Sequence, residues 1–262
     1  MATNRRLNIK VLVVDTDFYA LRALNSYLAW DRRTRVIALT TSVDGALDYI
    51  ASVAPPEHPD VVLLDVDACP DSEALQRAIT RLLSAVKDLV VVCITRHPDP
   101  VLTSAAAAAG ARGMLLRNEL RLQLVGATIY ALDHRFIVTP GIVASAKAPH
   151  DDWLDFAETL PGERAYPAMS DRIRQALWLT VVEGMPAQLA ADEMGISPHT
   201  LRSYVKEGYR ILETADDDAD IPEEISPLER AFMRFTALEK TRKAALNVPD
   251  DLGADDDDDE GD

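Results

Sequence analysis

The first half of the chain alternates between short apolar runs and segments in which apolar residues recur at helical spacing. The runs predict five strands, at 7–13, 35–40, 61–65, 89–95 and 113–116. Each run precedes a segment with apolar residues three or four positions apart, such as Leu21, Leu24 and Leu28, which predicts a helix. Continuous apolar strands that alternate with amphipathic helices are typical of a parallel sheet covered on both faces. We therefore predict a five-stranded, parallel, doubly wound α/β domain over residues 1–143.

The pattern changes after this domain. Residues 144–168 show little periodicity and contain Pro, Gly and charged residues, so we predict a linker that Trp153 and Phe156 hold in place. Residues 169–214 are helical throughout by pattern, and an acidic break with Pro222 separates them from a C-terminal helix at 225–247. Residues 248–262 are too charged to form a core, and we expect a disordered acidic tail.

The composition of the chain argues against a membrane-spanning, a secreted or a cysteine-ligated metal-binding protein. No apolar stretch reaches the roughly 20 residues that a membrane-spanning helix needs, and the N-terminus lacks the pattern of a signal peptide. The two cysteines, Cys69 and Cys93, do not have the spacing of metal ligands. We expect a cytoplasmic protein with two reduced thiols and no resident metal.

The net charge of −16 argues against binding to nucleic acid, whose phosphates attract Lys and Arg. The distribution of the charge matters more than the total. Nine acidic residues and no basic one lie between Asp250 and Asp262, and removing these nine charges leaves −7. Any DNA-binding surface must therefore be local.

Polar residues follow the ends of several predicted strands. They are Asp15, Asp17, Asp65, Thr95 and Arg117. Because the carboxyl ends of parallel strands lie at one edge of the sheet, where such folds collect their chemistry, we expect these side chains to form an acidic pocket.

The segments VLVVDTD, PDVVLLD, VVVCIT and AAGARGMLLR, in this order and spacing, resemble the receiver domain of response regulators. The resemblance covers about residues 7–142, and RFIVTPGIV is similar to the end of receivers in the LuxR/NarL branch. It implies that Asp65 accepts a phosphoryl group, that Asp15 helps to hold a divalent cation such as Mg²⁺, and that Thr95 supplies a hydroxyl.

The chain departs from this family's pattern at four positions. Thr16 stands where the family has a second acid, and Asp17 lies one residue late. Arg117 replaces the family's Lys with a planar fork, and Met114 replaces an aromatic residue. We therefore predict an atypical receiver that is not controlled by ordinary aspartyl phosphorylation and responds to a small ligand or a partner, or only dimerises. The alternative is a conventional two-component regulator phosphorylated on Asp65 with Mg²⁺ by a sensor kinase.

Each polar residue of the pocket also has a purely structural interpretation. Asp65 can form a salt bridge with Arg117, Thr95 can satisfy backbone groups at the end of its strand, and Asp17 can cap the helix that follows it. These interpretations remain open at the level of sequence.

The segment from Asp171 to Leu212 resembles the helix-turn-helix domain of the LuxR/NarL family and region four of sigma factors. Apolar positions define two helical faces, a turn and a corner, namely Ile173, Leu177 and Val181, then Leu189, Ala190 and Met194, then Gly195 and Ile196. Ser197 is a predicted N-cap for the third helix, with Pro198 at its first position.

In this motif the third helix enters the major groove of double-stranded DNA. The residues available there for base or phosphate contacts are His199, Thr200, Arg202, Ser203, Lys206 and Arg210. The resemblance implies a homodimeric transcription regulator and not an enzyme. The alternative is a protein-interaction module, because residues 170–213 contain five basic and six acidic residues.

The C-terminal helix carries apolar residues on one side, which predicts packing on the DNA-binding domain or a dimer contact. The acidic tail has two interpretations. It either keeps the protein soluble or competes with DNA for basic surfaces.

Overall fold

The structure is a computed structural model that describes residues 8–146, 152–214 and 225–239. Its first half contains the predicted alternation of strands and helices. In chain order the elements are β1 (Ile9–Val14), α1 (Phe18–Ala29), β2 (Thr34–Thr40), α2 (Val43–Ser52), β3 (Val61–Asp65), α3 (Ser72–Ala85), β4 (Val90–Thr95), α4 (Pro100–Ala108), β5 (Gly113–Leu116), α5 (Arg117–Leu120), α6 (Leu124–Asp133), β6 (Ile137–Val138), α7 (Pro140–Ser145) and β7 (Glu158–Thr159).

The described strands form one parallel sheet in the order β2-β1-β3-β4-β5-β6-β7. The prediction of five strands is therefore wrong in number, because the sheet has seven. The two extra strands, β6 and β7, are only two residues long, too short to produce a period in the sequence. Strand β7 lies within the predicted linker, where Trp153 is 2% exposed and packs edge-on against Phe136.

Alternate strand residues face opposite sides of the sheet, because successive side chains in a strand point in opposite directions. Leu12, Val62 and Val91 belong to the core beneath α2 and α3. Val13 and Leu63 belong to the core beneath α1 and α6. Both cores are apolar, which explains why the central strands read as unbroken apolar runs.

The C-terminal half is helical, as predicted. It consists of α8 (Asp171–Leu177), a π-helical turn (Trp178–Val182), α9 (Ala187–Met194), α10 (Pro198–Thr214) and α11 (Pro227–Phe235). Leu177 and Val181 are buried, and Gly208 of α10 lies so close to α8 that a Cβ there would come within 2.7 Å of Leu177. The prediction that Leu189 is buried is wrong, because its side chain is 56% exposed.

Residues 225–239 join the two halves, and we call this segment the clasp. Phe232 of α11 stacks on Trp30 with ring centroids 5.7 Å apart, and Glu229 accepts a 2.8 Å hydrogen bond from Arg32. Phe232 also packs in the core of α8 and α10, so one helix contacts both halves. Leu238 packs against Gly126 of α6, where a Cβ would come within 3.1 Å of it.

The clasp also corrects the predicted C-terminal helix. That helix ends at Phe235, so residues 236–239 continue without helix and pair with the chain near Glu163. Residues 240–247 of the prediction, the acidic tail at 248–262 and residues 147–151 of the predicted linker lie outside the described residues. Within the described ranges, no helix is both long enough and apolar enough to cross a membrane.

Candidate functional site

The acidic pocket lies at the carboxyl edge of the sheet. Asp15 follows β1, Asp65 ends β3, Thr95 ends β4 and Arg117 follows β5. These strands are parallel, and β1–β3, β3–β4 and β4–β5 pair directly. Because the strands run in one direction, their ends bring these four residues to the same edge.

Arg117 links the two buried carboxylates of the pocket. Its Nη2 lies 2.7 Å from Oδ2 of Asp15 and 2.7 Å from Oδ1 of Asp65. Asp15 is 1% exposed and Asp65 is 5% exposed. Among the described residues, Oδ2 of Asp15 and Nε of Arg117 have no hydrogen-bond partner of good geometry, so the contact with Asp15 is a close ion pair. One cation therefore compensates two buried anions.

Burial raises the pKa of Asp65 above the usual range of an aspartate, although the charge of Arg117 and a hydrogen bond from the backbone of Asp67 act in the opposite direction. A raised pKa means that the carboxylate is costly to keep charged where it lies. As a nucleophile, this carboxylate would also have to leave its contact with Arg117.

The residues of the pocket do not fit a Mg²⁺ ion in this arrangement. Mg²⁺ requires oxygen ligands at about 2.0–2.1 Å in an octahedral arrangement. One oxygen of each carboxylate, Oδ2 of Asp15 and Oδ1 of Asp65, already contacts the same guanidinium nitrogen. Thr16 is exposed and adds no carboxylate. Within the described ranges, no three His, Cys, Asp or Glu side chains group as metal ligands.

Thr95 contacts a residue that the sequence did not single out. Its hydroxyl donates to Oδ1 of Asp67 at 2.7 Å and does not bond to Asp65. Arg96 donates to Oδ2 of Asp67 from both its backbone N–H and its Nε. Burial acts against the charged form, but the bonds from Thr95 and Arg96 lower the pKa of Asp67 below its usual range. Asp67 lies two residues beyond the end of β3, and this position could have identified it from sequence as a residue of the pocket.

Asp17 lies apart from the pocket's ion pairs and caps α1. Its Oδ1 accepts hydrogen bonds from the backbone N–H groups of Tyr19 and Ala20, at 2.8 and 3.2 Å, and these bonds lower its pKa. The backbone N–H of Asp17 donates a 2.8 Å hydrogen bond to Oδ1 of Asp15, so Asp17 lies beside Asp15 while its own carboxylate caps the helix, one of the two interpretations left open by the sequence. Met114, which stands where the family has an aromatic residue, is buried in the core with 1% of its surface exposed.

The second candidate site is the exposed face of α10. Gly195 has a φ of +63°, a left-handed conformation that ends α9 and turns the chain. The Ser197 hydroxyl then accepts a 3.0 Å hydrogen bond from the N–H of Thr200, as expected of an N-cap. Leu201 faces the core and is fully buried. The glycine turn, the cap and the buried Leu201 fix which side of α10 faces solvent.

The predicted contact residues of α10 differ in how their charges are engaged. His199, Arg202, Ser203 and Lys206 are exposed, and Thr200 is half-buried. Within the part of the chain that the structure describes, neither Arg202 nor Lys206 forms an ion pair. Arg210 instead contacts the carboxylate of Glu207, with its Nε 2.9 Å from Oε2.

A groove of about 770 Å³ runs along this side of α10. One wall carries Arg202, Lys206 and Arg210, four positions apart and therefore on one face of the helix. The opposite wall includes Thr180 and Met185. Glu207 and Glu213 also line the groove, so its basic character depends on Arg202 and Lys206.

The sequence is similar to that of a known regulator. It is 28% identical over 171 residues to the probable transcriptional regulatory protein NarL of Mycobacterium tuberculosis, a match that covers 63% of this chain and 71% of the relative. The same match is found in two strains of that organism. No protein-family model matches the chain. The sequence match confirms the resemblance to LuxR/NarL-type response regulators.

Solved structures of response regulators are also similar to this chain. The receiver domain of the putative response regulator NarL from M. tuberculosis has a TM-score of 0.39 and 22% identity, covering 48% of this chain and 97% of that domain. RcsB from Salmonella enterica serovar Typhimurium, bound to promoter rprA, has a TM-score of 0.40 and 16% identity, covering 86% and 98%. These scores are low, so the family resemblance rests on the sequence match.

Proposed function

We propose that this chain is a DNA-binding transcription regulator whose receiver-like domain is not controlled by ordinary aspartyl phosphorylation. The observation that carries the first part is the exposed face of α10, where Arg202 and Lys206 are free of ion pairs within the described residues. Exposed cations on a helix that follows a glycine turn suit the phosphates and base edges of a major groove.

The contacts divide by position along α10. His199, Thr200, Arg202 and Ser203 lie in its first two turns, which approach base edges in this motif. Lys206 lies one turn further on and suits a base or a phosphate, and Arg210 suits a phosphate. The sequence relative named as a transcriptional regulatory protein supports this assignment. We also propose a homodimer, which light scattering of the free protein tests.

Genome-wide mapping of bound DNA tests the first part and supplies the site. A duplex containing that site is then titrated with the wild type and with Arg202→Ala/Lys206→Ala at several salt concentrations. We expect wild-type affinity to fall steeply as salt rises, and the double variant to lose at least tenfold at low salt, because its phosphate and base contacts are removed. The matched control is Lys87→Ala/Arg121→Ala, which removes two exposed cations from the other half.

If neither the wild type nor its variants bind any duplex, the helical half is a protein-interaction module and the first part of the proposal is wrong. A binding affinity that does not change with salt concentration would likewise show that the first part of the proposal is wrong.

The second part rests on Arg117. Its Nη2 contacts Asp15 and Asp65, the two carboxylates that would have to be available in a phosphorylated receiver to hold a cation and to accept a phosphoryl group. In its place we propose that a small ligand or a protein partner, including a sensor kinase acting by contact alone, supplies the signal.

Incubation with acetyl phosphate and Mg²⁺, followed by intact-protein mass spectrometry, tests this part. We expect no added phosphoryl group on the wild type. The comparison protein is Arg117→Lys/Thr16→Asp, which restores the family's residues at both positions. A stable phosphoryl group on wild-type Asp65, lost in Asp65→Asn, would establish the conventional mechanism instead.

A further inference from the structure

The acidic segment at 250–262 begins a short way after an anchored residue. Glu239, the last described residue before it, donates its backbone N–H to the carbonyl of Gly162 at 2.8 Å. Its carboxylate accepts a 2.9 Å hydrogen bond from the N–H of Ala165. Tyr166, one residue beyond Ala165, is buried in the core of α8, α10 and α11. The segment is therefore tethered beside the helical half.

The groove along α10 offers this segment Arg202 and Lys206, two cations that form no ion pair within the described ranges. Arg210 is engaged by Glu207. Many arginines elsewhere in the described ranges also contact a carboxylate already, including Arg32, Arg33, Arg35, Arg77, Arg81, Arg96 and Arg117. The pair on α10 combines exposure, a shared helix face and the absence of an ion-pair partner among the described residues.

We infer that the acidic segment 250–262 occupies the Arg202 and Lys206 face of α10 and competes with DNA for it. This inference rests on the proposed function, since it takes the same face as the DNA-binding surface. Carboxylates present anionic oxygens to Arg and Lys as phosphates do. Nine of the segment's thirteen residues are acidic, and none is basic.

The tether is long enough for this contact. Fifteen residues, 240–254, separate Glu239 from the run of acids that begins at Asp255. A flexible chain of that length has an end-to-end distance of about 20 Å and a maximum of about 50 Å. A domain of about 60 residues is only about 25–30 Å across. A tethered segment also reaches an effective concentration of about millimolar, so even weak contacts compete.

The charge of the rest of the molecule directs the segment to this face. Without its nine acids the chain still carries −7, so its overall charge does not attract the segment and a local basic face is needed. A separate acidic protein could use the same groove, but it would lack the advantage of the tether.

To test the inference, three proteins that each contain both halves and the clasp are compared for their affinity to one DNA duplex. They are the wild type, a form that ends after Val248, and a form of wild-type length with Asp255–Asp259→Asn and Glu260→Gln. All three retain every described residue. At about 50 mM salt we expect both altered forms to bind roughly tenfold more tightly than the wild type. The ratio falls toward one near 300 mM, because salt screens the contact between the segment and the groove.

Equal affinities of the three proteins at low salt would overturn the inference while leaving the proposed function intact. If none of the three binds DNA, the proposed function has failed, and a measurement without DNA decides on the contact itself.

That measurement uses a fluorescent peptide of residues 250–262 and the protein that ends after Val248. We expect low-salt binding that Arg202→Ala/Lys206→Ala removes and Lys87→Ala/Arg121→Ala retains. Equal binding to both variants, or no binding to the parent protein, would show that the segment does not occupy this face.

Discussion

The acidic pocket of the receiver-like half and the exposed face of α10 both concentrate charged side chains, but they differ in where the opposite charge comes from. In the pocket, the buried anions Asp15 and Asp65 share Arg117. On α10, Arg202 and Lys206 face solvent without a partner among the described residues. A buried charge must be compensated within the fold because desolvation is costly. An exposed charge can remain free until a partner binds.

This comparison gives the two halves different roles. The charges of the pocket are buried against one another, so a change there is felt first as a loss of stability. The face of α10 is incomplete, so a change there is felt first as a loss of binding. Four substitutions, in order of decreasing effect, test this distinction.

Arg117→Met should produce the largest effect, because it leaves two buried carboxylates without a cation. We expect the free energy of unfolding at pH 7 to fall by about 3–5 kcal/mol, measured by urea titration. Arg121→Met, which removes an exposed arginine nearby in the chain, is the control. A loss below about 1 kcal/mol would show that the pocket does not depend on Arg117.

The same variant has a predictable pH dependence. The pKa of Asp65 is already raised in the folded protein, chiefly by burial, and removing Arg117 raises it further. A carboxyl group with a raised pKa binds its proton more tightly in the folded state, so protonation favours folding. The difference between variant and wild type should therefore shrink as the pH falls below the folded-state pKa. A difference that grows with acidification would contradict this assignment.

The variants Arg202→Ala and Arg210→Ala compare two losses. The first removes a cation without an ion pair among the described residues, and the second removes a cation that is paired with Glu207. If Arg202 contacts a base pair in bidentate fashion, its loss costs about 1–3 kcal/mol of DNA affinity. Arg210→Ala should cost less, because Arg210 must first give up Glu207. Fluorescence anisotropy on one duplex measures both. Equal losses would mean that the Glu207 contact does not restrain Arg210, and Glu207→Ala then provides a further check.

Arg96→Ala should have the smallest effect, although Arg96 lies at the edge of the pocket. Its side chain is 61% exposed, so solvent screens its ion pair with Asp67 and the pair adds little to stability. The pKa of Asp67 is lowered, so its contribution is present at neutral pH and is lost as the pH falls through that pKa. Thermal unfolding at pH 7 measures the effect. A loss as large as that of Arg117→Met would remove the distinction between buried and exposed charge.

The convergence of Asp15, Asp65, Thr95 and Arg117 was predictable from sequence, because strand order and direction alone bring strand ends together. Their contacts were not. Whether Thr95 bonds to Asp65 or Asp67 depends on side-chain rotamers, which a periodic pattern does not encode. The salt bridge between Asp65 and Arg117 was one open interpretation, and the structure adds that the same nitrogen also contacts Asp15.

Two other differences have simple physical causes. Strands β6 and β7 were missed because two residues cannot show an alternating pattern. Leu189 was placed in the core because it adjoins the buried Ala190, and neighbouring apolar residues on a helix do not reveal which one faces inward. The apolar side of the C-terminal helix was visible in the sequence, but the contact of Phe232 with Trp30 was not, because it joins residues about 200 positions apart.

The clasp has a consequence for the order in which the protein is made. Residues 225–239 follow both halves in the chain, yet Phe232 and Leu238 contact the receiver-like half through Trp30 and Gly126. During synthesis, domains generally fold as units from the N-terminus onward. The receiver-like half can therefore form its sheet before the residues that join it to the helical half leave the ribosome. A nascent chain would pass through a stage in which the sheet is folded while the core that α8 and α10 share with Phe232 and Phe235 is still incomplete.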